Sequence, residues 1–134
     1  MIQNAAANSE VLYACTRENS PRFYRSADFG STWIQITSGI VPPAVDIKSG
    51  ARIAVTPADP NVVYFAEVGG YGMVFKSTDG GLNFTLQKGE TAPYLTFYDN
   101  LISSSGQGNY NSTLCADRLN PNRIWLQGQN TWVS

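Results

Sequence analysis

Two stretches of the sequence share one pattern: Tyr24-Arg25-Ser26-Ala27-Asp28-Phe29-Gly30-Ser31-Thr32-Trp33 and Phe75-Lys76-Ser77-Thr78-Asp79-Gly80-Gly81-Leu82-Asn83-Phe84. Equivalent residues lie 51 positions apart. Each stretch has an aromatic and a basic residue before a Ser-x-Asp-x-Gly turn, and it closes on another aromatic residue. Because a fixed spacing between similar segments is typical of repeat architectures, this pair predicts a repeat fold.

The similarity continues on either side of these stretches. Three segments share an aliphatic residue followed by an aromatic one, at offsets of 51 and 61 residues: Glu10-Val11-Leu12-Tyr13-Ala14, Asn61-Val62-Val63-Tyr64-Phe65 and Asn122-Arg123-Ile124-Trp125-Leu126. Residues 52–60 also match residues 113–121, and residues 2–8 would hold the remnant of the first copy. A third turn segment begins at Trp132. The chain is therefore predicted to hold nearly two whole repeats and about half of a third.

Each repeat consists of short β-rich runs separated by Pro, Gly, Asn and Asp, and no stretch shows a sustained helical period. In the middle copy we predict strand A over residues 52–56, B over 62–66, C over 73–77 and D over 83–86. A four-stranded unit of this size that cannot bury its faces alone is typical of a propeller blade. The predicted fold class is all-β, a partial β-propeller of about two and a half blades. The blades cover residues 1–44, 45–105 and 106–134.

The recurring Asp28 and Asp79 are predicted to be structural. The same carboxylate at the same turn of each copy suits a hydrogen-bonding role that every hairpin needs, whereas an active site needs different residues that converge once. The closing aromatic residues are predicted to pack between blades, as are Tyr13, Tyr64 and Trp125. The residues assigned to this structural turn are Ser26, Asp28, Gly30, Thr32, Trp33, Ser77, Asp79, Gly81 and Phe84.

The two turns resemble the Asp-box, or bacterial neuraminidase repeat, of β-propellers, although Asn83 stands where Ser or Thr is usual. Residues 52–64, with 75–81 and 106–111, also look like the sortilin-like propellers of large secreted Bacteroidetes proteins. That resemblance implies an extracellular or cell-surface setting. The first residues, Met1 to Asn4, lack the charged and apolar regions of a signal peptide.

Function is predicted on the propeller edge opposite these turns, where the B–C and D–A loops gather. The connection from Lys88 to Asn111 is long and rich in aromatic residues, which would suit sugar rings or would fold the loop onto the blade. The candidate ligand-face residues are Arg17, Arg22, Glu67, Tyr71, Tyr94, Tyr98, Asp99 and Tyr110. The first hypothesis is a non-catalytic scaffold that binds polysaccharide or protein.

The alternative is a fragment of a glycoside hydrolase. Residues 64–71 resemble the segment that bears a catalytic Asp in xyloglucan-hydrolysing Asp-box propellers, and Glu67 occupies the acidic position. An inverting glycosidase needs two carboxylates roughly 6.5–9.5 Å apart, and only Asp46 or Asp99 could be guessed as the partner. Glu67 is therefore a weak catalytic candidate. A sialidase is disfavoured because Arg52-Ile53 is followed by Ala54, where that family has Pro. A propeller that grips a partner protein for assembly or sorting stays open.

Composition excludes several other functions. The 134 residues include no histidine, which excludes Ser-His-Asp and Cys-His catalysis within them, and we predict no metal and no cofactor. A net charge of −1 without a basic stripe disfavours nucleic acid. No apolar run reaches the ~18 residues of a membrane span. The expected partners are the remaining blades of a longer chain or other copies.

The two cysteines fall on strand B of the first blade (Cys15) and strand A of the third (Cys115). Residues on non-adjacent blades are too far apart for a disulfide, whose Cα atoms lie within ~7 Å of each other. Both are predicted to be small, buried apolar side chains.

Overall fold

The computed structural model describes residues 2–3, 10–16, 21–41, 50–68, 73–88, 112–128 and 131–133. These residues form three antiparallel sheets and no helix. The first sheet has the order β1 (Ile2–Gln3), β2 (Leu12–Cys15), β3 (Phe23–Ser26) and β4 (Ile34–Ile36). The middle sheet has β5 (Ala51–Val55), β6 (Val63–Glu67), β7 (Met73–Ser77) and β8 (Thr85–Lys88). The third sheet has β9 (Thr113–Ala116), β10 (Ile124–Gln127) and β11 (Thr131–Val133).

Each sheet is a meander in which consecutive strands pair. In the middle sheet strand C matches the prediction, and strands A and B are displaced by one residue from it. Strand D was predicted two residues too early. It begins at Thr85, because Asn83 is held in the preceding turn by its backbone and side-chain bonds to Asp79.

The middle sheet is covered on both faces. Alternate residues of its strands point to opposite sides, as in any β-strand. One side packs on the first sheet and includes Ile53, Val63, Phe65, Phe75 and Phe84, which meet Tyr13, Cys15 and Phe23. The other side packs on the third sheet and includes Ala54, Tyr64, Ala66 and Val74, which meet Leu114, Ala116, Ile124 and Leu126. All five residues of β6 are buried as a result.

Aromatic rings fill the contact between the first and middle sheets. The Phe23 ring lies 4.8 Å from Phe84 and 5.6 Å from Phe65, both at steep angles. Edge-to-face pairs of this kind add about 0.5–1.5 kcal/mol each to the free energy of burial. Since Phe23 belongs to one sheet and its two partners to the next, this cluster stabilises the stacking of blades.

Polar bonds also cross between sheets from donors at equivalent positions, although their acceptors lie in the turn after β7 in one case and in the turn between β9 and β10 in the other. Tyr13 and Arg25 are cross-strand neighbours on the first sheet, and both donate to the carbonyl oxygen of Gly80, at 3.0 and 2.8 Å. Their equivalents, Tyr64 and Lys76, reach the third sheet at Pro121 and Asn122, at 2.7 and 2.6 Å. We call each tyrosine with its basic neighbour a clasp. Burial raises the pKa of Tyr13 and of Tyr64, so both hydroxyls stay protonated donors at neutral pH.

One burial prediction is wrong and another is untested. The predicted packing of Trp33 between blades has no partner sheet among the described residues, and its side chain is 37% exposed. Cys115 is exposed, because it points outward on β9 between the inward-facing Leu114 and Ala116, whereas Cys15 is buried as predicted. Neither Cys15 nor Cys115 forms a disulfide with a described residue.

Candidate functional site

The turn after β7 is organised around one carboxylate. Asp79 Oδ1 accepts from the backbone N–H groups of Leu82 and Asn83, at 3.1 and 2.9 Å, and from the Ser77 hydroxyl at 2.7 Å. Its Oδ2 accepts from the Asn83 side-chain amide at 2.7 Å. The Ser77 hydroxyl oxygen in turn accepts from the Gly81 N–H at 2.9 Å. The carboxylate is thus occupied within its own hairpin.

The turn after β3 repeats this arrangement. Asp28 accepts from the Thr32 N–H at 2.9 Å, from the Thr32 hydroxyl at 2.6 Å and from the Ser26 hydroxyl at 2.7 Å. Donors from Thr32 and Ser26 lower the pKa of Asp28 to about 2, and donors from Asn83 and Ser77 do the same for Asp79. A carboxylate held ionised by several donors is a poor proton donor at neutral pH, so neither Asp is suited to general acid catalysis.

Glycine is required at two close approaches beside these turns. A Cβ on Gly81 would lie 2.8 Å from a ring carbon of Tyr13, and one on Gly39 would lie 1.6 Å from the carbonyl oxygen of Phe84. Both glycines also have positive φ, at +81° and +72°. The turn of the middle sheet can therefore sit against the first sheet only with glycine at these positions.

A cleft of about 250 Å³ opens between the first and middle sheets at the edge opposite the turns. The end of β4, the start of β3 and the end of β6 converge there. Its lining residues are Pro21, Arg22, Phe23, Gln35, Ile36, Thr37, Ile40, Val41, Phe65 and Glu67. The wall is apolar with a few polar groups, a composition typical of small-molecule sites.

Glu67 is the last residue of β6 and is 4% exposed. It pairs across the sheet with Ala51 and Met73, on the side that faces the first sheet, and it lines the cleft. The exposed Arg22 lies on the same cleft. Of the described residues that line it, Glu67 alone carries a carboxylate. The cleft can therefore accept hydrogen bonds from sugar hydroxyls, but its described lining holds one acid where two-carboxylate hydrolysis needs two.

The structure brings together two of the eight predicted ligand-face residues, Arg22 and Glu67. The other six lie outside the described residues, namely Arg17, Tyr71, Tyr94, Tyr98, Asp99 and Tyr110. Asp46, the other guessed partner acid, also lies outside them. Sequence reasoning missed the contribution of β4 and the segment after it, namely Gln35, Thr37, Ile40 and Val41. The only feature of the sequence that could have indicated these residues is their position after strand D, because the end of strand D lies at the same edge of the sheet as the B–C loop.

Within the described part of the chain no three Cys, Asp or Glu side chains converge to hold a metal ion. The described segments also contain no helix that is long and apolar enough to cross a membrane.

Stacked antiparallel meanders of four, four and three described strands, with a clasp between neighbours, define an arc of a β-propeller. The crystal structure of the Niastella koreensis GH74 enzyme aligns with 98% of this chain and 21% of its own, at a TM-score of 0.64 and 20% identity. The K499G mutant of NanB sialidase from Streptococcus pneumoniae aligns with 91% of this chain and 17% of its own, at a TM-score of 0.51 and 14% identity. At these identities the likeness shows the fold, and it confirms the predicted fold class.

Two curated proteins are similar in sequence. A xyloglucanase from Hypocrea jecorina is 39% identical over 73 residues, which are 51% of this chain and 8% of that protein. A probable oligoxyloglucan-reducing end-specific xyloglucanase from Neosartorya fischeri is 28% identical over 129 residues, 92% of this chain and 14% of that protein. No protein-family model matches the chain. The chain thus spans less than a sixth of the curated relatives it matches.

Proposed function

We propose that this chain is an Asp-box propeller segment of a secreted glycoside hydrolase that acts on xyloglucan or a related β-glucan, and that it forms one wall of the substrate-binding edge. The observation that carries the proposal is the position of Glu67, a buried acidic residue that lines an inter-blade cleft on the edge away from the turns. The sequence similarity to two xyloglucanases supports the substrate class.

The chemistry of the cleft suits a neutral polysaccharide. Apolar side chains such as Ile40 and Val41 can lie against the faces of sugar rings, while Arg22 and Gln35 donate to ring and hydroxyl oxygens. Glu67 accepts from hydroxyl groups, and in a complete site it is the first of the two acids that hydrolysis requires. The second acid, by this proposal, comes from blades elsewhere in the same propeller.

The second candidate is the non-catalytic scaffold, in which the same cleft binds glycan without cleaving it. The observation that favours it is the lone carboxylate among the described lining residues. The two candidates make the same prediction for binding and opposite predictions for hydrolysis.

The deciding experiment compares wild type with Glu67→Gln, which keeps the side-chain volume and removes the charge. Binding of xyloglucan oligosaccharides to the 134-residue chain is measured by calorimetry, and loss of a charged hydrogen bond should weaken it roughly tenfold. In a protein that carries the complete propeller, release of reducing sugar from xyloglucan should be abolished. Glu10→Gln is the matched control, because Glu10 is exposed and lies at the turn edge, where its carbonyl accepts from Phe29.

The outcomes separate the candidates. Weaker binding with unchanged hydrolysis contradicts the catalytic role of Glu67, and weaker binding in a propeller whose wild type releases no reducing sugar supports the scaffold. Unchanged binding and unchanged hydrolysis contradict both. A Glu10→Gln variant that matches the Glu67→Gln variant would show a general effect of charge rather than a site.

A further inference from the structure

The first sheet has an outer face, which we define as Leu12, Ala14, Tyr24 and Trp33. At the repeat distance of 51 these residues correspond to Val63, Phe65, Phe75 and Phe84 of the middle sheet, which are buried against the first sheet. The outer-face residues are all partly or substantially exposed. The outer face therefore has the residue pattern of a blade interface.

The turn after β3, beside this outer face, has the same backbone hydrogen bond as the turn after β7. Phe29 corresponds to Gly80, and each donates its N–H to the equivalent carbonyl of the preceding hairpin, Glu10 or Asn61. The Gly80 carbonyl oxygen receives the clasp of Tyr13 and Arg25. No described residue donates to the Phe29 carbonyl oxygen. This oxygen is thus the acceptor that a preceding blade would engage.

We propose that the outer face and the Phe29 turn bind a further blade of the same propeller, one that presents a tyrosine on its second strand and an arginine or lysine on its third. The proposal concerns assembly of the propeller and does not rest on the activity proposed above. The middle sheet supports this proposal, because its equivalent face is already covered in this way.

A second copy of this chain does not offer the required pair. Its Tyr13–Arg25 and Tyr64–Lys76 clasps are already engaged with the next sheet. Its third sheet places Trp125 opposite Val133, where the other two sheets have a tyrosine opposite a basic residue. The exposed end of a second copy therefore lacks the basic group.

Phe29 itself points to a basic partner. It has a left-handed backbone, at φ 56°, which is unfavourable for a bulky residue, and its side chain is 64% exposed. A Cβ built at the equivalent Gly80 lies 3.9 Å from Arg25 Nη2 and 3.9 Å from the Tyr13 hydroxyl. A phenyl ring in this position would lie beside the guanidinium group of the neighbouring blade, where a cation–π contact becomes available.

The first test recreates this contact inside the known interface. Gly80→Phe is introduced into the 134-residue chain, alone and in the Arg25→Met background, and unfolding is followed in urea. We expect Gly80→Phe to lower the transition midpoint less when Arg25 is present than in the Arg25→Met background. Equal or larger loss with Arg25 present would overturn the proposed recognition.

The second test adds a blade. A chain that repeats residues 1–51 ahead of Met1 keeps the spacing of 51 and places an added Tyr13–Arg25 clasp opposite the original Phe29. Phe29→Gly should raise the thermal midpoint of the 134-residue chain by about 3 °C, because it removes the unfavourable φ. In the extended chain the same substitution should lower it, and a Tyr13→Phe, Arg25→Met change in the added blade alone should restore the increase. Shifts of the same sign in all three chains would overturn the proposal.

Sedimentation velocity of the 134-residue chain tests whether a second copy of the chain binds the outer face instead. The chain should sediment alike with and without Phe29→Asp. Concentration-dependent association that Phe29→Asp abolishes would identify a second copy as the occupant and would overturn the proposal.

Discussion

Asp79 illustrates how one residue fixes a hairpin and how pH should test it. Its pKa is lowered from 3.8 to about 2 by donors from Asn83 and Ser77. A folded-state pKa below the unfolded value means that the ionised carboxylate stabilises the fold above about pH 4 and that this stabilisation is lost as the pH falls towards 2. Because the side chain is exposed, the effect should be modest and should weaken in high salt.

We therefore predict that the urea midpoint of wild type falls between pH 4 and pH 2 and that Asp79→Asn has a smaller fall, because it has no carboxylate to protonate. Asn83→Ala keeps the carboxylate but removes one donor, so its fall should be intermediate. An Asp79→Asn variant with the full wild-type fall would contradict the assignment of this pH dependence to the turn.

At the scale of the element, the repeat offers a matched pair of aromatic residues. Phe84 is 5% exposed and packs on Phe23, whereas the equivalent Trp33 is 37% exposed. We predict that Phe84→Ala destabilises the chain by about 3–5 kcal/mol, the usual cost of a buried Phe→Ala change, and that Trp33→Ala costs about 1 kcal/mol or less. Urea unfolding measures both. Equal losses would show that the outer face is covered.

The strands were predictable from the sequence because their period and turn residues are local signals. Strand C could be predicted from the alternation of its side chains alone, which ends at Ser77. Strand D did not follow from β-propensity, because the side chain of Asp79 draws Asn83 into the turn. The exposure of Cys115 and Trp33 could not be predicted either, since the alternation of a strand defines its two faces but not which of them a neighbour covers.

At the scale of the whole molecule, the candidate site was predictable in part. Glu67 and Arg22 both line the cleft at the edge that their position at strand ends predicted. The contribution of Gln35 and Thr37 depends on how two sheets stack, which is a long-range property that a local pattern does not encode. The clasp was missed for the same reason, although its tyrosines had been marked as recurring residues.

The stacking also predicts how stability is distributed along the arc. In a quasi-one-dimensional array each repeat contacts only its neighbours, so the repeat with two neighbours should open last. The middle sheet is that repeat, and all of β6 is buried. We predict that native-state hydrogen exchange is slowest for amides of β6, such as Phe65, and fastest among paired strands for β4 and β11, which lie at sheet edges.

Phe23→Ala removes the aromatic contact to Phe65 and Phe84, so it should speed exchange in the first sheet far more than in β9 and β10. Equal acceleration in all three sheets would instead show a single cooperative unit.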